Sequence, residues 1–190
     1  IDPLLKFPIP KGVIVSTSGH LWSGTVAEHA LAMLLALTRG LHISLNSANK
    51  SDWGRELLIP QLRVIRDLKV LIVGYGAIGS EIGRRLRVFG PQITALARNR
   101  RVDDDVDVKE ISALNSELSQ SDVVFLTIPL TPETADLIST TQLGLMKKAA
   151  ILIDVSRGGV VNQVALVEAL RKKHLGCAGL DVFAKEPLAL

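Results

Sequence analysis

Two runs of this 190-residue chain end in charged groups able to handle a carboxylate or a carbonyl. One is Ile151-Leu152-Ile153-Asp154-Val155-Ser156-Arg157-Gly158-Gly159, an apolar run that breaks into a guanidinium and paired glycines. The other is Gly179-Leu180-Asp181-Val182-Phe183-Ala184-Lys185-Glu186-Pro187. A guanidinium presents a planar fork of donors that grips a carboxylate or polarises a carbonyl oxygen. The glycines beside Arg157 let the backbone come close to a ligand. Glu186 would lie on the same rim. The same residues could instead pair with each other or with solvent, because structural ion pairs also occupy such rims. Residue types alone leave both readings open.

A third run supplies a place for phosphate. Lys69-Val70-Leu71-Ile72-Val73-Gly74-Tyr75-Gly76-Ala77-Ile78-Gly79 is an apolar strand pattern that breaks into G-x-G-x-x-G and then into a helical pattern. Strand, glycine turn and helix together make a dinucleotide cradle. Gly74 permits the tight turn, Gly76 admits a pyrophosphate close to the backbone, and Gly79 lets the helix settle on the strand. The first helical N–H groups then face the phosphates, with the positive end of the helix dipole behind them.

The elements that must hold these groups follow from hydrophobic spacing. Strands are predicted at 69–73, 92–97, 122–128, 149–154 and 176–180, and helices at 77–89, 110–118, 139–147 and 162–173. Gly90-Pro91 ends the first of these helices, and Pro129 and Pro132 hold off the next until about Glu133. This alternation predicts right-handed βαβ units and an α/β fold with a doubly wound parallel sheet. Upstream, Thr25 to Arg39 is apolar at helical spacing, with Gly40 as a stop, and 41–50 continues as a second helix. The stretch from Trp53-Gly54 to Pro60 reads as a loop, Val13 to Ser16 as a short strand, and Ile1 to Pro10 as an irregular lead-in. The domain division expected is a lead-in over 1–18 and a dinucleotide-binding domain over 19–190.

The second strand should end over the adenosine ribose, where NAD-selective sites place an Asp or Glu. Here Ala97 is followed by Arg98, with Arg100 and Arg101 close behind, and no carboxylate comes before Asp103. A guanidinium suits a phosphate better than a neutral diol. The expectation is NADP in preference to NAD, with Arg98 as the phosphate ligand. The competing reading makes Arg98 a solvated loop charge, neutralised by Asp103, Asp104 and Asp105.

Composition narrows the classes further. Hydrophobic residues make up 47% and aromatic ones 4%, so the core should be aliphatic, as parallel strands covered on both faces require. A net charge of +3, scattered along the chain, gives no basis for nucleic-acid binding. The longest apolar stretch, Ala30 to Leu37, is too short to span a bilayer, and no metal site is expected. The single cysteine, Cys177, cannot form an internal disulfide and points to a reducing, cytoplasmic setting, or to an organelle if a targeting segment was cropped. The Leu- and Ala-rich helix from Thr25 to Arg39 should be buried in the core or against another subunit.

Taken together, the chain resembles the nucleotide-binding domain of the D-isomer-specific 2-hydroxyacid dehydrogenases, a group that includes glyoxylate/hydroxypyruvate reductases, phosphoglycerate dehydrogenases and formate dehydrogenases. The resemblance rests on Val26-Ala27-Glu28-His29-Ala30-Leu31-Ala32-Met33-Leu34-Leu35-Ala36-Leu37-Thr38-Arg39 and on Val73 to Gly79. It continues through Thr127-Ile128-Pro129-Leu130-Thr131-Pro132-Glu133-Thr134, Asp154 to Val161, and Leu180 to Pro187. It implies an oxidoreductase moving a hydride between a nicotinamide cofactor and a small 2-oxo or 2-hydroxy acid. It also implies that Ala77 and Ile78 meet the pyrophosphate through backbone N–H groups, and that Val155, Ser156 and Asp181 contact the nicotinamide half. Arg157 would hold the substrate's carboxylate and keto oxygen, and Glu186 would pair with a histidine and raise its pKa so that it can donate a proton. The family pairs through the Thr25–Arg39 region, which implies a homodimer.

Two departures accompany the resemblance. The family's acidic ribose ligand falls on Ala97. The family's catalytic histidine, in a Pro-His context well after the glutamate, has no counterpart before Leu190. His29 is expected to be structural, His20 and His42 lie outside the acid motif, and His174 ends a helix. With only 1–18 to stand for the family's substrate domain, the chain reads as a core cut from a longer protein that binds a dinucleotide and turns over poorly. The alternative is a dinucleotide-sensing, corepressor-like binding module without catalysis.

Overall fold

Apolar residues run without interruption along the predicted central strands, so their side chains must be covered on both sides. The computed structural model describes residues 8–16, 20–103, 106–188, and it shows this double burial directly. Strand β1 (Lys69–Val73) sends Val70 and Ile72 into one apolar cluster and Leu71 and Val73 into a second. The period of two along a strand sorts them.

The remaining strands are β2 (Gln92–Ala97), β3 (Arg101–Asp103), β4 (Val106–Glu110), β5 (Val123–Leu126), β6 (Ile151–Asp154) and β7 (Cys177–Leu180). Among the described residues they form one sheet of seven strands in the order β3-β4-β2-β1-β5-β6-β7. Every pairing is parallel except β3 with β4. The first cluster is closed by α1 (Ser23–Thr38) and α4 (Ala77–Leu86), through Ala27, Ala30, Leu34, Ile82 and Leu86. The second is closed by α5 (Leu114–Leu118), α6 (Thr140–Leu145) and α7 (Gln163–Arg171), through Leu118, Leu143 and Leu166. The sheet is doubly wound, as the sequence predicts.

Several expectations need correction. The sheet has seven strands among the described residues, not five, because β3 and β4 were not foreseen. It is mostly rather than wholly parallel. Residues 13–16 form no strand; they are exposed, and their backbone finds no ladder partner. The expected loop over 53–60 contains α3 (Arg55–Leu58) and a tighter turn over Ile59–Gln61, after α2 (Leu41–Asn49). The expected helix at 110–118 starts as a 3-10 turn, Ile111–Ala113, before α5, since 110 is the last residue of β4. Of the expected lead-in, residues 1–7 and 17–18 lie outside the described residues, as do Asp104 and Asp105.

The ends of the strands opposite the glycine turn are tied together by Asp122. Its carboxylate accepts from the Lys69 backbone N–H at 2.8 Å and from Lys147 Nζ at 2.9 Å. Its own N–H donates to Lys69 O at 2.8 Å, and its carbonyl accepts from Ile151 N–H at 2.9 Å, so one residue joins the starts of β1, β5 and β6. Partial burial resists ionisation of this carboxyl, but the Lys69 and Lys147 donors outweigh it and hold the group below the usual carboxylate range. Replacing it by Asp122→Ala should lower stability by about 1–2 kcal/mol at neutral pH, read from urea midpoints. Because the folded-state pKa is depressed, this contribution is present above the unfolded carboxylate value of about 4. The gap between wild type and variant should therefore close as pH falls through the lower, folded value.

Candidate functional site

The strand order reverses between β1 and β5, which leave the sheet side by side with their connections on opposite faces. Open α/β sheets bind ligands in the crevice at that point, beyond the carboxyl ends of the strands. The glycine turn stands directly over it. Gly74 has φ +100°, and a Cβ there would come within 2.5 Å of Ile128 Cγ2 and 3.0 Å of the Thr127–Ile128 backbone. The turn is held from the β5 side by Thr127, whose hydroxyl reaches Gly74 O at 2.5 Å and Val73 O at 3.2 Å. A Cβ on Gly79 would lie 2.2 Å from Gly74 O, so the first turn of α4 rests directly on the turn backbone. Gly76 differs: nothing lies within 4 Å of a Cβ placed there. It precedes α4 and offers no side-chain cap, and the first N–H groups of the helix, from Ala77 and Ile78, have no acceptor within the helix itself. The arrangement is a short row of donors at the positive end of a ten-residue helix, facing open space.

At the outer side of the crevice, β2 ends at Ala97 and Arg98 is exposed, with no hydrogen bond or ion pair among the described residues. Arg101 is engaged. From β3 it donates to the Tyr75 carbonyl in the glycine turn at 2.7 Å, lies 5.7 Å from the centroid of the Tyr75 ring and is 3.8 Å from Asp103. Parallel pairing of β2 with β4 places Glu110 beside Ala97, so a carboxylate does stand at this end of the sheet, delivered by the neighbouring strand. The sequence offered no way to see it without β4.

At the inner side, β6 delivers Asp154, Val155 and Ser156, all buried, and then the exposed Arg157. Asp154 Oδ1 accepts from both the backbone N–H and the hydroxyl of Ser156, at 2.9 and 2.5 Å. Burial pushes the Asp154 carboxyl up, against the Ser156 donors, and Asp181 adds to the rise. One guanidinium nitrogen of Arg157 donates to the Ser156 carbonyl at 2.7 Å, which folds the side chain back over its own loop. A Cβ on Gly158 would sit 1.8 Å from Phe183 O, so this loop lies directly on the one that follows β7. Within that second loop Glu186 accepts from Phe183 N–H at 2.8 Å, and Ala184 N–H donates to Gln163 Oε1 at 3.1 Å. Arg157 and Glu186 thus stand on touching loops of one rim. Asp181 leaves β7 beside them, its N–H bonded to Asp154 O at 3.0 Å, and its carboxylate meets His29 Nε2 of α1 at 3.3 Å. His29, expected to be merely structural, is on the crevice. Its i, i+4 partner Met33 points at the sheet, and that spacing was the available signal. His174 is remote; its Nε2 bonds the Met146 carbonyl at 3.0 Å.

The turn geometry separates folding from ligand contact. Gly76→Ala should leave the melting temperature nearly unchanged, since a methyl meets nothing there, while weakening dinucleotide binding severalfold or more by occupying the approach to the helix amides. Gly79→Ala should instead destabilise the fold itself, because its methyl strikes backbone. Thermal melting with cofactor titration on both variants checks the contrast. For Asp154, the raised folded-state pKa means the charged form costs stability at neutral pH and protonation relieves it. Asp154→Asn, which keeps the acceptor for Ser156, should melt higher than wild type at pH 7, and the difference should shrink as pH falls through the folded value.

Comparison with known proteins agrees with this geometry. The family described as D-isomer specific 2-hydroxyacid dehydrogenase, NAD binding domain, matches residues 31–190. Glycerate dehydrogenase of Methylorubrum extorquens is 35% identical over 181 residues, covering 93% of this chain and 55% of the relative. This chain spans about half the length of the curated relatives it matches. Among solved structures, a D-isomer specific 2-hydroxyacid dehydrogenase from Xanthobacter autotrophicus Py2, in complex with NADPH and MES, superposes with a TM-score of 0.85 at 26% identity, over 100% of this chain and 77% of that one. D-lactate dehydrogenase of Aquifex aeolicus, complexed with NAD and lactic acid, gives 0.79 at 31% identity, over 86% and 49%. A Rossmann-like sheet with its glycine turn at the switch point, matched by the family over most of its length, identifies the chain as a member of the D-isomer specific 2-hydroxyacid dehydrogenase family through its NAD-binding domain.

Proposed function

We propose that this chain binds NADP(H) and serves hydride transfer to and from a small 2-oxo or 2-hydroxy acid. The observation that carries the reading is the uncapped α4 N-terminus over the β1/β5 switch point, with open space at Gly76 and the Arg157 rim on the same crevice. The residues present fit a nicotinamide dinucleotide. Gly74, Gly76 and Gly79 shape the cradle; the N–H groups of Ala77 and Ile78 take the pyrophosphate; Val155, Ser156 and Asp181 border the nicotinamide. When bound, that ring supplies or accepts the hydride.

The protein's own groups do the rest. Arg157 is assigned to the substrate carboxylate and keto oxygen, and its bond to Ser156 O orients the guanidinium. Asp154 fixes Ser156 in turn. Glu186 is assigned to hold a protonated imidazole as proton donor. His29 and His174 do not fill that role, since His29 is engaged by Asp181 and His174 by Met146.

Preference for NADP rests on Arg98, exposed at the end of β2, with the exposed Arg100 close behind it. Glu110 competes for the ribose end as an acceptor for hydroxyls, and the guanidinium outweighs it because a phosphate dianion gains from both charge and bidentate geometry. Pairing of chains as a homodimer is supported by apolar side chains left outside along the first three helices. Leu21 is 80%, Trp22 65%, Leu45 66%, Trp53 84% and Leu57 64% exposed, apolar surface that a second copy would cover. No helix among the described residues is long and apolar enough to cross a membrane.

Nicotinamide fluorescence with the 190-residue chain tests the cofactor reading. NADPH should bind more tightly than NADH, and Arg98→Ala should cost NADPH on the order of tenfold while leaving NADH nearly unchanged. Equal affinity for both cofactors would remove the NADP preference, and binding of neither would remove the proposed function. A protein of the relatives' full length that carries this domain, supplied with NADPH, should reduce glyoxylate or hydroxypyruvate, and Arg157→Ala should abolish most of that turnover.

A further inference from the structure

The pairing of His29 with Asp181 follows from a match of repeats. Along a helix, residues four apart share a face and are separated by about 6 Å. Along a strand, residues two apart share a face and are separated by about 6.6 Å. Met33 of α1 lies over Gly179 of β7: a Cβ on that glycine would meet Met33 Sδ at 3.1 Å and Met33 Cβ at 3.2 Å. One helical turn back from Met33 is His29, and two residues on from Gly179 is Asp181. The helix runs against the strand, so the second pair falls in register with the first, and the imidazole arrives 3.3 Å from the carboxylate. Both side chains are about half exposed, at the mouth of the crevice rather than in the core. The contact is therefore not a buried structural bond. It joins α1 to the residue that follows β7.

We propose that His29 is a positioning residue for the nicotinamide half of the site. Its Nε2 edge, 3.3 Å from Asp181 Oδ1, limits where that carboxylate swings, so that the other oxygen and the backbone beside it face the crevice in a single arrangement. The backbone of Asp181 is already fixed by its N–H bond to Asp154 O, so the side-chain torsions are the freedom left for the histidine to remove. The proposal rests on the dinucleotide reading above and adds α1 to the cofactor site.

Two ligands separate this role from a structural one. NADPH carries the nicotinamide; 2′-phospho-ADP-ribose carries the same phosphates and riboses without it. His29→Leu should weaken NADPH by on the order of fivefold, the size of one lost half-exposed polar contact, and should leave 2′-phospho-ADP-ribose unchanged. His29→Gln places an amide N–H near the position of Nε2, with no charge, and should restore most of the loss. Unchanged NADPH affinity in the Leu variant, equal losses for both ligands, or no recovery with Gln would each overturn the proposal. If wild type bound neither ligand, the cofactor reading would itself have failed, and this role with it.

Discussion

A backbone-to-backbone contact organises this molecule: the first turn of α4 sits against the carbonyl of Gly74. No side chain fits between them at Gly79, and no ordinary residue fits the left-handed turn at Gly74 beside Thr127 and Ile128. Because the helix can come that close, its first amides stand over the strand ends instead of being displaced sideways by a Cβ. The position of the first α4 amides is thus set by the absence of side chains at these glycines, and by a threonine hydroxyl that ties the turn to β5. Everything else in the crevice is measured from there, since β5 carries β6 beside it, and β6 carries Arg157.

The rest of the sheet works as a rigid ruler for that contact. Phe125, Leu126, Ile153 and Leu152 are fully or almost fully buried on alternating faces, so a one-residue slip of β5 or β6 would drive each into the wrong cluster. Register is therefore enforced by burial, and it fixes how far Arg157 and Asp181 project beyond the strand ends. The two loops that carry them cannot separate freely, because the Gly158 backbone lies on Phe183 and because Gln163, at the start of α7, holds Ala184. A rim built from two connections behaves as one piece.

Much of this was legible in the residues. The bounds of β1 and β2 match the hydrophobic runs, because strands buried on both faces are written as uninterrupted aliphatic stretches. The glycine turn, the Arg157 loop and the Glu186 loop were found by type and spacing. What escaped was written in another form. In β4, Val106 and Val108 are buried while Asp107, Lys109 and Glu110 are not, and a strand half covered on one side hides among charges. With β4 unseen, Glu110 could not be placed next to Ala97. The clasp of Arg101 on the Tyr75 carbonyl and the meeting of His29 with Asp181 are tertiary facts. The first depends on an edge strand folding back beside the turn and the second on which helix crosses which strand, and a one-dimensional pattern does not carry that.

The short antiparallel β3 has a consequence for how copies of the molecule treat one another. A parallel sheet that stopped at β4 would present a row of unmet amides and carbonyls to any extended chain. Instead, three residues fold back along it, and their own outer margin is brief and flanked by Arg101 and Asp103. A strand that short, bearing alternating charge, gives a neighbouring chain too few bonds to offset the ordering it would require. The hairpin closes that margin of the sheet to accretion, and it does so with the same arginine that fastens the glycine turn.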